Sequence, residues 1–318
     1  MPSIALPQMR QYLSRSIASL NLNKLRGTLA EVDFRDHLSS IGFAGRVSPG
    51  GWIARRKGEN VFAHSTVAIF PEIVDPAQDY GPNRILPNPS QGLHTICATL
   101  HQSGIASFYS AATITAGDDP FVGMTWQAIE LGVPMQGQYQ SLAQALTPLQ
   151  FANRERRYNH LRYHTDTSLI PDGAVPEEFS KEHLRVSFST AYMAELSDID
   201  GIFWGRWNTY PIEIKEKTPA PSRDMGLFFG LDVGPFVKLA FYAAKRGNLH
   251  SLYVVREIDN ANDRNLVQWW FITFDQLAQF ASWIPQAGGP AMGGGQSSVV
   301  RVPRIEFQPL NAQTLGAL

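Results

Sequence analysis

The chain has 318 residues, of which 44% are apolar and 17% charged, and its formal net charge is -1. That size suits one large domain with an insertion, or two domains, with a real core. The near-neutral balance excludes nucleic-acid binding through bulk charge, so any basic surface must be local.

The start, MPSIALPQMRQYLSR, has no long apolar run after a basic segment, so no signal peptide is expected. No stretch approaches the ~20 apolar residues of a bilayer span. The single cysteine, Cys97, excludes an intramolecular disulfide and a cysteine-rich zinc site, and it suits a reducing cytoplasm. Residues 23–43 read as a helix: Leu25, Leu29, Val32, Phe34, Leu38 and Ile41 recur at roughly helical spacing, and Gly42 is a terminator. AGRVSPGGWIARR (44–56) reads as strand or loop with a turn at Pro49-Gly50-Gly51. The proline-rich and glycine-rich text at 71–92 predicts an extended loop, followed by helices at 92–104 and 139–164 and a short helix within 120–134. Strands are expected at 184–190, within 198–217 as a pair, and at 250–258 and 267–274. Pro235 and Gly247 bracket a helix. Asp275 is read as the N-cap of a helix over 275–284. The segment 287–298 reads as a flexible loop, and 299–307 as an edge strand limited by Pro303. The order of helices and strands predicts an α/β layered fold.

The strand pair SDIDGIFWGRWNTYPIEIKEKTP (197–219) carries charges inside an apolar pattern. Residues two apart on a strand share a face, so Glu213 and Lys215 point one way and Ile212 and Ile214 the other. Pairing of the two strands allows Asp200 to approach Glu213. Two close carboxylates repel unless a cation sits between them, and Mg²⁺ takes a few carboxylate oxygens, waters and phosphate oxygens. The Ile214 carbonyl is a further ligand in that arrangement. Lys215 then orients or helps deprotonate a water, or stabilises charge on a phosphate. The plain alternative is a surface hairpin whose charges make solvated ion pairs.

Asp200-Gly201 followed by Glu213-Ile214-Lys215 resembles the PD-(D/E)XK nuclease superfamily, which includes restriction endonucleases and archaeal-type Holliday-junction resolvases. Position 199 is Ile, where the family often has proline. Gly27, Glu31, Leu38, Gly42 and Phe43 are similar to the first core helix of resolvase-like members, and Ser48-Pro49-Gly50-Gly51 to the turn that follows it. The resemblance covers about 25–55 and 190–260. It implies a restriction-endonuclease-like mixed central sheet flanked by helices, with a large insertion after the first core helix. The expected division is 1–56 (first core helix), 57–185 (insertion, a DNA-recognition region) and 186–318 (catalytic core). It implies a Mg²⁺-dependent DNA endonuclease, with Mn²⁺ able to substitute. The most specific form is a type II restriction enzyme acting on double-stranded DNA as a cytoplasmic homodimer, because two-fold protein symmetry matches a palindrome. Asp200, Glu213 and Ile214 are the implied metal ligands, Lys215 the catalytic lysine and Glu31 an additional acid. Lys238 and Tyr242, one turn apart, are the polar residues of the following helix. A structure-selective or repair nuclease, and an inactive DNA-binding protein of the same fold, are the other readings.

NRERRYNHLRYH (153–164) is the most basic patch. Arg154, Arg156, Arg157 and Arg162 at helical spacing suit phosphates or guanine edges, or a solvated helix face. Arg55, Arg56 and Lys57 form a second basic run. Asp198 is read as an accessory acid or a strand-end charge. The histidines lack metal spacing, and Ser107 and Ser110 lack the context of a hydrolase nucleophile.

Overall fold

A computed structural model describes residues 5–18, 22–56, 66–80, 86–115, 117–135, 137–155, 159, 161–245, 247–280, 282–287 and 296–318. The chain forms two compact units, Met1–Leu29 with Ser48–Ile199, and Ala30–Val47 with Asp200–Leu318. These boundaries differ from the expected ones at 56 and 185. Residues 57–185 are not a separate insertion, because their strands share a sheet with 51–56 and 194–199.

The first unit contains α1 (Leu6–Ser16), the start of α2 (Asn23–Ser40), β1 (Gly51–Arg56), β2 (Thr66–Val74), α3 (Gln91–Gln102) and β3 (Ala106–Thr113). It continues with β4 (Gln127–Leu131), β5 (Gln140–Ser141), α4 (Leu142–Leu146), α5 (Val175–Ala191) and β6 (Ala194–Ile199). The sheet order is β5-β4-β3-β2-β1-β6. Only β2 and β3 are parallel in it, and α3 is the crossover that a parallel pair requires. Met9, Tyr12 and Leu13 of α1 and Phe179, Leu184 and Phe188 of α5 pack with Ala54, Val67, Ile69 and Phe108 of the sheet. Gly132 lets the chain pass close to α3: its φ is +80°, and a Cβ there would lie 2.3 Å from the Cys97 carbonyl oxygen.

Several local expectations change here. Residues 184–190 are the end of α5, not a strand. LRVSFST alternates apolar and polar, which imitates a strand over seven residues. Pro176 and the acids Glu177 and Glu178 upstream mark the start of a helix that runs through it. The helix expected over 139–164 stops at Leu146, since Pro148 permits only a 3₁₀ turn and Gln150 adopts φ +52°. The short helix within 120–134 is strand β4, and the loop over 71–92 begins with the last four residues of β2. Pro71 is tolerated there because it lies beyond Ile69, where the pairing of β2 with β1 ends.

Helix α5 buries Glu178, Lys181, Glu182 and His183. Lys181 pairs with Glu178 at 2.8 Å, and Glu182 pairs with Lys24 and Arg185. Burial alone would raise the Glu182 carboxyl, but the two cations outweigh it and hold the group below the usual range. Burial pushes His183 down to about 4. Trp126 Nε1 donates to His183 Nδ1 at 3.2 Å, and Nε2 faces the Pro120 carbonyl at 3.2 Å. Indole nitrogen can only donate, so Nδ1 is an acceptor and the imidazole is neutral.

The second unit contains β7 (Gly201–Trp204), β8 (Thr209–Lys217), β9 (Ala220–Ser222), β10 (Gly226–Asp232), α6 (Val233–Ala243) and β11 (Leu252–Ile258). It continues with β12 (Leu266–Thr273), α7 (Phe274–Gln279), β13 (Ser282–Ala287), β14 (Gln296–Pro303), β15 (Gln308–Pro309) and α8 (Ala312–Gly316). One sheet has the order β15-β12-β11-β8-β7, in which β8 and β11 are parallel and the other neighbours antiparallel. The other has the order β13-β14-β10-β9. Among the described residues the chain is therefore mixed α/β with three sheets flanked by helices, where a single central sheet was expected. The helix expected over 275–284 ends at Gln279 and gives way to β13, and its N-cap is Thr273, with Asp275 in the first turn. Strand β14 lies inside its sheet, not at an edge. Residues 288–295 of the expected loop lie outside the described residues.

Strand alternation divides the unit into two cores. Ile212 and Ile214 of β8 pack with Leu252 and Val254 of β11 and with Ala30, Phe34 and Leu38 of α2. Tyr253 and Val255 of β11 point the other way, with Leu239 of α6, Phe229 and Leu231. Glu213 and Lys215 are the register partners of Tyr253 and Val255, so they share that second face. At the rim of the α2 face, Arg256 pairs with Asp33 at 2.7 Å and with Glu216 at 2.8 Å.

Candidate metal centre

Asp200 is the single residue between β6 and β7, and it is buried. Pairing of β7 with β8 ends at Gly201 opposite Ile212. The next strand N–H on that side, from Ile214, donates to Asp200 Oδ2 at 2.7 Å. The end of a short strand thus fixes the carboxylate beside β8.

Glu213 is only 2% exposed and lies between two ammonium groups. Lys215 Nζ is 2.6 Å from Oε1. Lys238, on α6, pairs with Oε2. A buried carboxylate needs such partners, because an unpaired charge in this position would cost several kcal/mol. Carboxylate oxygens of Asp198, Asp200 and Glu213 lie within 4.8 Å of one another. The backbone itself brings Asp198 there, two residues ahead of Asp200. The donors are all hard oxygens, which suit Mg²⁺ or Mn²⁺ and not a zinc site built from nitrogen and sulfur.

The site face extends along β8 to Lys217. Burial lowers the pKa of this lysine, the Lys215 charge lowers it further, and Asp232 opposes both. Tyr253, the register neighbour of Glu213, donates its hydroxyl to the Gly230 carbonyl at 3.1 Å. Burial raises its phenol, and the charges of Glu213 and Asp232 add to the rise.

Asp200, Glu213 and Lys215 come together, and Ile214 meets them through its N–H, which donates to Asp200, where the sequence put forward its carbonyl. Glu31 is not in the carboxylate group. The apolar side of α2 packs against the Ile212 and Ile214 face, whereas Glu213 lies on the face shared with Tyr253 and Leu239. Asp198 is the third carboxylate of that group. Its two-residue offset from Asp200 was the available signal, and it was outweighed by the reading of a strand-end charge. Lys238 faces a carboxylate instead of standing open as a phosphate contact. Tyr242 is 3% exposed, so its ring belongs to the interior of its unit.

The basic segment is not helical in its described residues. The Arg154 amide donates to the Ala191 carbonyl and its Nε to the Tyr192 carbonyl at 3.2 Å, which ties it to the end of α5. Arg162 is exposed and lies over the Tyr163 ring, with its guanidinium carbon 5.2 Å from the centroid. Arg156 and Arg157 lie outside the described residues, as does Lys57. Arg55 is 3.7 Å from Glu195 across the β1–β6 pair. No described helix is long and apolar enough to cross a membrane. Comparison of the chain with protein-family models, curated proteins and solved structures finds no match.

Proposed function

We propose that the second unit carries a Mg²⁺-dependent phosphodiesterase site that cuts double-stranded DNA. The most specific form of this reading is a type II restriction endonuclease acting as a homodimer. The observation that carries it is the meeting of Asp200, Glu213 and Lys215 beside one strand end, with two buried acids and an ammonium 2.6 Å from one of them. The mixed sheet, with β8 parallel to β11 and α6 between them in the chain, agrees with the arrangement that the D…E-x-K resemblance implies.

Asp200, Glu213 and Asp198 offer the oxygens that would hold the ion, and the Ile214 carbonyl is a further donor. A bound Mg²⁺ supplies charge neutralisation of a phosphate and lowers the pKa of a water. Lys215 is fixed on the same face by its strand position. Its ammonium orients the attacking water or donates to a phosphate oxygen as negative charge develops there. Asp200 is held in place by the Ile214 amide, so it needs little reorganisation to act.

Incubation of supercoiled plasmid with the protein and Mg²⁺ tests the reading, with EDTA and Glu213→Ala as controls. Mg²⁺-dependent cutting that Glu213→Ala abolishes is expected. Discrete fragments support a restriction enzyme, whereas cutting only of branched DNA supports a structure-selective nuclease. No Mg²⁺-dependent cleavage of any DNA form would overturn the enzyme reading and leave a DNA-binding protein.

A further inference from the structure

We propose that Lys238 holds the place of a divalent cation on Glu213 and withdraws when a phosphate enters, so that cation and nucleic acid load together. The inference rests on the metal reading above and concerns how that site is regulated.

Both oxygens of Glu213 face ammonium groups, Oε1 that of Lys215 and Oε2 that of Lys238. An ion held by Asp200 and Glu213 must therefore take an oxygen that a lysine occupies. The two lysines are not equivalent. Lys215 is two residues from Glu213 on the same strand, so the backbone keeps it beside the carboxylate on one face. Lys238 reaches Glu213 from another element, α6, at the end of a flexible four-carbon stem. It can swing away without any change in β8.

Charge gives the direction of the coupling. Asp198, Asp200 and Glu213 against Lys215 and Lys238 leave one negative charge at the site. A divalent cation alone turns that into one positive charge, with a partly buried ammonium beside it. The Lys238 side chain is 14% exposed, so moving its ammonium off Glu213 gives up a strong ion pair in a poorly hydrated place. One phosphodiester restores neutrality and gives the displaced ammonium a strong acceptor. Each ligand should then improve the site for the other by the same factor, as linkage requires.

The test is titration of Mn²⁺, with free ion read from its paramagnetic resonance signal. It uses the full chain with and without a duplex oligonucleotide of phosphorothioate linkages, corrected for ion bound to the duplex alone. Lys238→Met is expected to bind Mn²⁺ about tenfold more tightly than wild type in the absence of DNA. It is also expected to lose most of the tightening that DNA gives the wild type. Lys238→Gln serves if the methionine variant does not reach the wild-type circular dichroism spectrum. If both Lys238 variants bind Mn²⁺ no tighter than wild type, while Asp200→Asn and Glu213→Gln lose binding, the placeholder role is wrong and the metal site stands. If Asp200→Asn and Glu213→Gln bind as wild type does, or if wild type binds no Mn²⁺ with or without DNA, the metal reading itself fails.

Discussion

Glu213→Gln separates a clamped carboxylate from an ordinary metal-site acid by its effect on stability in the absence of metal. The substitution keeps the shape of the side chain and removes the charge that Lys215 and Lys238 share. Lys238 is the more enclosed of the two, and breaking a buried pair from one side costs about 3–5 kcal/mol. Lys215 is about one-third exposed, so solvent screens its share to roughly 0–1 kcal/mol. The expected loss is about 3 kcal/mol. Asp200→Asn should behave differently. Asparagine still accepts the Ile214 N–H, and the change removes one of three crowded negative charges. Its stability should stay within about 1 kcal/mol of wild type. Urea unfolding in EDTA, followed by circular dichroism and by tryptophan fluorescence, measures both. Equal midpoints for Glu213→Gln and wild type would refute the lysine clamp. An Asp200→Asn loss as large as that of Glu213→Gln would show that the acids are stabilised together and not by the lysines.

Lys215→Ala should lower the single-turnover rate of plasmid cleavage roughly a hundredfold while leaving DNA binding nearly intact, because it removes a donor used as charge develops. A rate within threefold of wild type would remove Lys215 from the chemistry. His183 gives the first unit a pH dependence. Its folded pKa of about 4 lies below the ordinary 6.5 of imidazole, so neutral imidazole favours folding, and the stabilisation is complete above 6.5 and lost as pH falls toward 4. The loss should reach about 3 kcal/mol and be absent from His183→Gln, measured as urea midpoints between pH 7 and 4. Glu182 adds its own loss, which begins as pH falls below the ordinary carboxyl value of 4.5 and grows toward its lowered folded value, so the His183→Gln comparison is what isolates the histidine. Gly132→Ala should destabilise the first unit by roughly 1–3 kcal/mol, from a positive φ and a methyl group forced toward the Cys97 carbonyl. A thermal midpoint unchanged from wild type would contradict that close approach.

The strands around Glu213 were legible because their period is short and unbroken. Tyr210, Ile212 and Ile214 alternate with Glu213 and Lys215, and two-residue alternation alone assigns the faces. The helix over 23–43 was equally clear from its repeat and from Gly42, whose φ of +83° suits a helix end. The segment 184–190 misled for the same reason: a seven-residue window can alternate by chance, and only the upstream helix start resolves it. The resemblance of the first helix also put Glu31 forward as a third acid without revealing which face of the sheet that helix covers.

The linear chain by itself determined the charged pattern of the hairpin and the near-neutral charge that rules out bulk attraction for DNA, and it allowed Asp200 to approach β8. These depend on neighbours within about fifteen residues, where strand geometry leaves little freedom. Tertiary structure alone decided that β1, β2, β3, β4, β5 and β6 share one sheet. It also decided that Lys238, twenty-five residues beyond Glu213, closes over that carboxylate from α6. Such contacts depend on which element packs on which face, and no local period carries that information.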